Sequence, residues 1–164
     1  MSDRKDPIAL ARENWEREGW FDAAEGMVAV TSVMRAQQIY QARVDEALKP
    51  FDLTFARYEL LMLLHFSSRG SMPLKKASER LQVHPTSITN AVDRLEAAGL
   101  VSRSPHPTDG RATLIAVTAT GRRTAMKATE ALNTEVFGKP GLSARRVATL
   151  VNVLEDLRRG AGDF

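Results

Sequence analysis

The chain has 164 residues, 43% of them hydrophobic and 26% charged, which fits one soluble globular domain able to bury its own core. It contains no cysteine, so a disulfide framework, a thiolate metal site, a cysteine nucleophile and a thiol redox switch are excluded. The net charge is +3 and unevenly spread: residues 1–25 hold 4 basic and 7 acidic side chains, the remainder 19 basic and 13 acidic. An acidic arm therefore precedes a basic body suited to meet a polyanion. Residues 1–25 carry no apolar core segment, and uncharged stretches such as residues 26–34 are far too short to span a bilayer. A cytoplasmic protein without a membrane partner is expected.

In residues 1–21, Trp15 and Trp20 stand among charges, and Pro7 can open a short helix through Ile8, Leu10 and Trp15. Met27, Val30, Met34, Gln41, Val44 and Leu48 then recur at helical spacings until Pro50 ends the pattern. A helix of this length usually packs against another chain as well as its own. Thr54 is the predicted cap of a second helix carrying Phe55, Tyr58, Leu61, Met62 and His65, closed by residues 67–71. A third is predicted with Pro73 in its first turn, followed by Leu74, Ala77 and Leu81. After Gln82, Val83 and His84 a fourth opens at Pro85, carries Ile88, Val92 and Leu95, and stops at Gly99. Residues 100–104 and 113–117 read as two strands around a turn with Asp109-Gly110 at its tip. Thr118 is the predicted cap of a fifth helix with Ala125, Ala128, Leu132 and Val136, which residues 138–141 break. Ser143 is predicted to cap the sixth, with Val147, Leu150, Val151, Leu154 and Leu157 on one stripe.

Two short helices joined by a tight turn over residues 73–98 form a helix-turn-helix pattern, whose second helix lies in the DNA major groove. Ile88, Val92 and Leu95 account for its inner face. Thr86, Ser87, Thr89 and Asn90 remain at its N-terminal end, followed by Asp93 and Arg94. The hydroxyl groups suit bases or phosphates, and Asn90 suits an adenine edge. Thr89 and Asn90 lie beyond the cap and are poor helix formers, so local stability does not explain them. Lys75 and Lys76 can take phosphates, while Arg103, His106 and Arg111 place cations on or near a projecting turn. An arginine at such a tip suits a narrow minor groove.

The stretch from Leu74 to Thr118, above all "SITNAVDRLEAAGLVSR", then Asp109-Gly110-Arg111 and "VTATGR", resembles the winged helix-turn-helix of MarR-family transcription regulators. The resemblance spans roughly residues 22–160. It implies a mainly α, α+β fold of six helices with a two- or three-stranded β wing. It also implies a homodimer joined through residues 22–50 and 118–164, with 51–117 as the DNA-binding region and 1–21 as an extra arm. Such a dimer, most often a repressor, binds a pseudo-palindromic operator in double-stranded DNA with half-sites about one helical turn, roughly 10 bp, apart. On the family pattern Arg111 enters the minor groove and Asp109 orients a nearby arginine. Many members release DNA when a small aromatic or phenolic anion binds, and no cofactor or metal is implied. The arm is similar to the extra helix of urate-type members, in which Trp15, Glu59 and Arg103 would contribute to a ligand site, with His65 a further candidate. Ala91 stands where a second arginine of that site is expected, and Glu59 where an aspartate is usual. The simpler reading is that Trp15 and Trp20 pin the arm to the dimer core.

An enzyme is not expected, since no Gly-rich phosphate loop, serine elbow or His-containing metal spacing is found. A winged-helix protein-interaction module without sequence-specific DNA binding is the competing reading. The polar recognition helix and the wing arginine weigh against it.

Overall fold

The structure is a computed structural model that describes residues 5–109 and 112–164. The chain divides into two compact units, residues 1–43 and 44–164.

In the first unit, α1 spans Pro7–Arg17. The Asp6 side chain accepts the Ile8 N–H at 3.0 Å, and Pro7, having no N–H to lose, occupies the first turn. Gly19 turns the chain at φ +83°, a conformation that costs little without a Cβ. The turn brings Trp15 and Trp20 edge to face, 5.2 Å between ring centres. α2 begins at Phe21 and runs 28 residues to Leu48, crossing into the second unit. It starts earlier than the apolar spacing indicates and takes in Gly26, because helical geometry tolerates one exposed glycine for about 1 kcal/mol. Ala24 is buried, but Val30 and Met34 are 60% and 63% exposed.

In the second unit, Val44 and Leu48 at the end of α2 enter the core, and a 3₁₀ turn over Lys49–Phe51 leads to α3, Phe55–Phe66. The Thr54 hydroxyl accepts the Arg57 N–H at 3.4 Å, as a cap should. Leu60, Leu61 and Leu64 of α3 are fully buried. The next elements are β1 (Ser71–Pro73), α4 (Leu74–Leu81) and α5 (Pro85–Ala97). β2 (Val101–Pro105) and β3 (Thr113–Val117) follow, then α6 (Ala119–Leu132), a π turn over Asn133–Phe137, and α7 (Ala144–Gly160). The sheet is antiparallel in the order β1-β3-β2, with Ile115 of β3 opposite Met72 and Arg103.

Three local expectations need correction. Residues 71–73 are a strand and not loop, and Pro73 sits at the N-cap of α4 instead of its first turn, its ψ of 139° still extended. The fifth helix loosens into the π turn before Val136. Ser143 stands at the N-cap of α7, but its side chain makes no capping hydrogen bond. No residue of α7 is buried; Val153 and Leu157 are 60% and 61% exposed.

Candidate nucleic-acid interface

α4 and α5 are joined by a three-residue turn in which Gln82 adopts the left-handed conformation at φ 53°. The buried Ser78 holds it: its hydroxyl donates to the Val83 carbonyl at 2.7 Å, and its own carbonyl accepts the Val83 N–H at 3.2 Å. His84 caps α5 by accepting the Thr86 N–H on Nδ1 at 3.2 Å, and Pro85 fills the first turn. Ile88, Val92 and Leu95 are 2%, 0% and 1% exposed, so one face of α5 is sealed into the core. Thr86, Ser87, Thr89, Asn90 and Arg94 line the exposed face. The Thr89 hydroxyl donates to the Pro85 carbonyl at 2.9 Å, leaving its oxygen free to accept from a base amino group. The side chains of Ser87, Asn90 and Arg94 have no hydrogen-bond or ion-pair partner among the described residues.

α5 closes in a Schellman turn: Gly99 at φ +69° donates to the Glu96 carbonyl, and the Leu100 N–H to the Leu95 carbonyl at 2.8 Å. β2 thereby returns alongside α5, and Arg103 reaches back across it. Its guanidinium bonds Glu96 at 2.7 Å and Asp93, and touches the Thr89 carbonyl at 3.4 Å, while its N–H donates to Glu96 at 3.1 Å. Partial burial works to lower the guanidinium's pKa, but its hydrogen bonds to Asp93 and Glu96 and their negative charge outweigh it and hold the group above its ordinary value. Arg103 is therefore engaged as a brace between wing and recognition helix. Asp93 and Glu96 were not singled out by the sequence, because their partner lies beyond a turn and outside any helical period.

In the wing, the His106 N–H donates to the Ala112 carbonyl at 3.0 Å and the Ala112 N–H to the Asp109 carbonyl at 2.9 Å, closing the turn. Asp109 is exposed, while Arg111, the expected minor-groove residue, lies outside the described residues. Lys75 and Lys76 are exposed on the first turn of α4, with only Glu79 near Lys75, at 4.0 Å.

The ligand candidates have separate surroundings. Trp15 lies in the first unit, against Trp20. Glu59 borders a niche of about 30 Å³ lined by Ala56, Leu81, Val83, Ser87, Ile88 and Ala91. No cation lines that niche, since Ala91 faces it, and burial raises the Glu59 carboxyl above the usual carboxylate range. His65 is engaged elsewhere: Arg122 approaches its Nδ1 at 2.9 Å, and the Phe66 ring lies 5.3 Å away. Arg103 is held by Asp93 and Glu96. Among the described residues no three acidic or histidine side chains converge as a metal site, and no helix is long and apolar enough to cross a membrane.

A buried-faced recognition helix with a braced, three-stranded wing defines a winged helix-turn-helix protein. The MarR family model matches residues 53–113. Sco5413, a MarR family transcriptional regulator from Streptomyces coelicolor, is 48% identical over 85% of this chain and 97% of its own, with a TM-score of 0.78. Sco3205 from the same organism, solved in complex with DNA, is 25% identical over 84% of this chain and 88% of its own, with a TM-score of 0.71. The transcriptional repressor IacR of Pseudomonas putida is 29% identical over 71% of this chain and 69% of its own. The chain belongs to the MarR family. It is a transcription regulator and not an enzyme.

Proposed function

We propose that this regulator is a cytoplasmic homodimeric repressor that reads a pseudo-palindromic operator with α5 in the major groove and the wing in the minor groove. The observation that carries the reading is α5 itself. One face is sealed in the core, and the other presents hydroxyl, amide and guanidinium groups that helix stability does not call for. Thr86, Ser87, Thr89 and Asn90 read base edges, Lys75, Lys76, Arg94 and His106 take phosphates, and Arg111 enters the minor groove beside Asp109. Residues 22–50 and 118–164 join the protomers, 51–117 form the DNA-binding lobe, and 1–21 are an accessory arm. Large apolar side chains left in water on α2 (Val30, Met34) and on α7 (Val153, Leu157) support the homodimer. The DNA complex of Sco3205 and the repressor IacR support operator binding and repression.

Release by a small aromatic anion is the further part of the proposal, with Glu59, His65 and Arg103 as candidate contacts in the second unit and Trp15 as a separate candidate in the first. The carboxyl of Glu59, without a partner among the described residues and beside the start of α5, supports it, because a ligand there would bear on the recognition helix. The test is repeated selection of duplexes from a random pool by the purified protein. An enriched inverted repeat with half-sites about 10 bp apart is expected. A pool that stays random would overturn the reading.

A further inference from the structure

Beside the recognition helix lies an open cleft of about 610 Å³ between the end of α3, the outer face of α4 and the base of the wing. Arg69, Lys76, Arg80 and His106 line it, and no carboxylate among the described residues does. These basic side chains come from three segments: the turn after α3, one face of α4 at i and i+4, and the wing loop. Arg69, Lys76 and Arg80 are exposed and have no ion-pair partner among the described residues. Ser68 adds a hydroxyl of the kind that bonds phosphate oxygens, while the Ser67 hydroxyl is donated to the Ser71 carbonyl at 3.2 Å. Arg103, paired with Asp93 and Glu96, and Arg158, paired with Asp163, are by contrast satisfied within the chain. Three unpaired cations around one concave surface repel one another in the free protein and gain only when a polyanion arrives.

We propose that this cleft is a second DNA contact, gripping the phosphodiester backbone that flanks each half-site outside the bases α5 reads. It rests on the operator-binding reading and extends it, since Lys76 and His106 join the cleft to the surface already assigned to DNA. Arg69 and Arg80 are the new contacts. They carry no base preference, so they lengthen the footprint and raise affinity without altering sequence choice. A polyanionic backbone suits the lining better than a small ligand does, because the basic side chains come from three separate segments spread around an open cleft.

The test measures fluorescence anisotropy of wild type and the double variant Arg69→Ala/Arg80→Ala. Two duplexes selected by the wild type are used, one limited to the two half-sites and one extended by about half a helical turn, roughly 5 bp, at each end. Wild type is expected to bind the longer duplex more tightly, and the variant to bind both alike. Each arginine contact contributes about 0.9 to the salt slope, so on the longer duplex the variant's loss of affinity between 50 and 200 mM salt shrinks about twelvefold per bound protomer. Arg69→Lys/Arg80→Lys, which keeps both charges, should retain the length dependence. The proposal is overturned if the alanine variant keeps the wild-type length dependence and slope. It is equally overturned if the variant weakens both duplexes by the same factor. Wild type that selects no duplex would refute operator binding itself, a result distinct from either.

Discussion

Arg103 shows how a single side chain serves the interface without facing it. Its guanidinium joins two carboxylates of α5 to β2, and only about a quarter of it is exposed. Arg103→Ala would leave Asp93 and Glu96 unpaired on the surface proposed to face phosphates. The expected result is a stability loss of about 1 kcal/mol in urea unfolding, with a larger loss of DNA affinity. Arg103→Lys should recover part of the stability but little of the affinity, because an ammonium lacks the planar fork that spans both carboxylates. Asn90→Ala should relax base preference at one position of each half-site, by about 1–3 kcal/mol in competition binding. Glu59 makes the opposite kind of prediction. Its carboxyl is raised by burial, so the folded state holds the proton more tightly than the unfolded chain, and stability falls as pH rises from the ordinary carboxylate range through the raised folded pKa. Glu59→Gln removes that fall. Melting should show a gain below about 2 °C at pH 7, the site being largely exposed, and none below the ordinary carboxylate range.

At the scale of elements, a close junction lies where α6 starts. Thr118 caps α6 by accepting the Gly121 N–H at 2.9 Å, and its hydroxyl reaches the Gly99 carbonyl at 2.8 Å. A Cβ on Gly121 would stand 1.9 Å from the Leu100 carbonyl oxygen, so the helix rests directly on the turn that ends α5. Gly121→Ala should therefore cost about 1–3 kcal/mol, read as a lowered urea midpoint, whereas an alanine in an ordinary helix position would stabilise. Much of this architecture is legible in the sequence. Pro85, the spacing of Ile88, Val92 and Leu95, and Gly99 are all local signals, and they define α5, its buried face and its end. The hairpin is announced by its turn residues. Residues 71–73 are not legible as a strand, because three residues show no alternation and are held by pairing with β3 some forty residues on. The partners of Arg103 and the cluster of Arg69 with Arg80 escape for the same reason: each is assembled by the fold from segments without a shared period.

For the whole molecule, the apolar side chains that α7 leaves exposed are what the proposed homodimer rests on. Leu157→Asp would bury an unpaired charge in a dimer interface and do little to a free surface. Wild type is expected to sediment as a dimer, and the variant's dimer dissociation constant to rise at least tenfold, about 1.4 kcal/mol or more. Identical sedimentation would remove α7 from the interface. Dimerisation matters to the central claim because two linked recognition helices multiply both sequence choice and phosphate contacts. That claim, selective operator binding, is tested most directly by fluorescence anisotropy on DNA from immediately upstream of this protein's own gene. A scrambled duplex of equal length is titrated alongside over a series of salt concentrations. Selective binding at near-physiological salt, with affinity falling steeply as salt rises, is the predicted result. Equal, weak binding to both duplexes, or none at low salt, would contradict it.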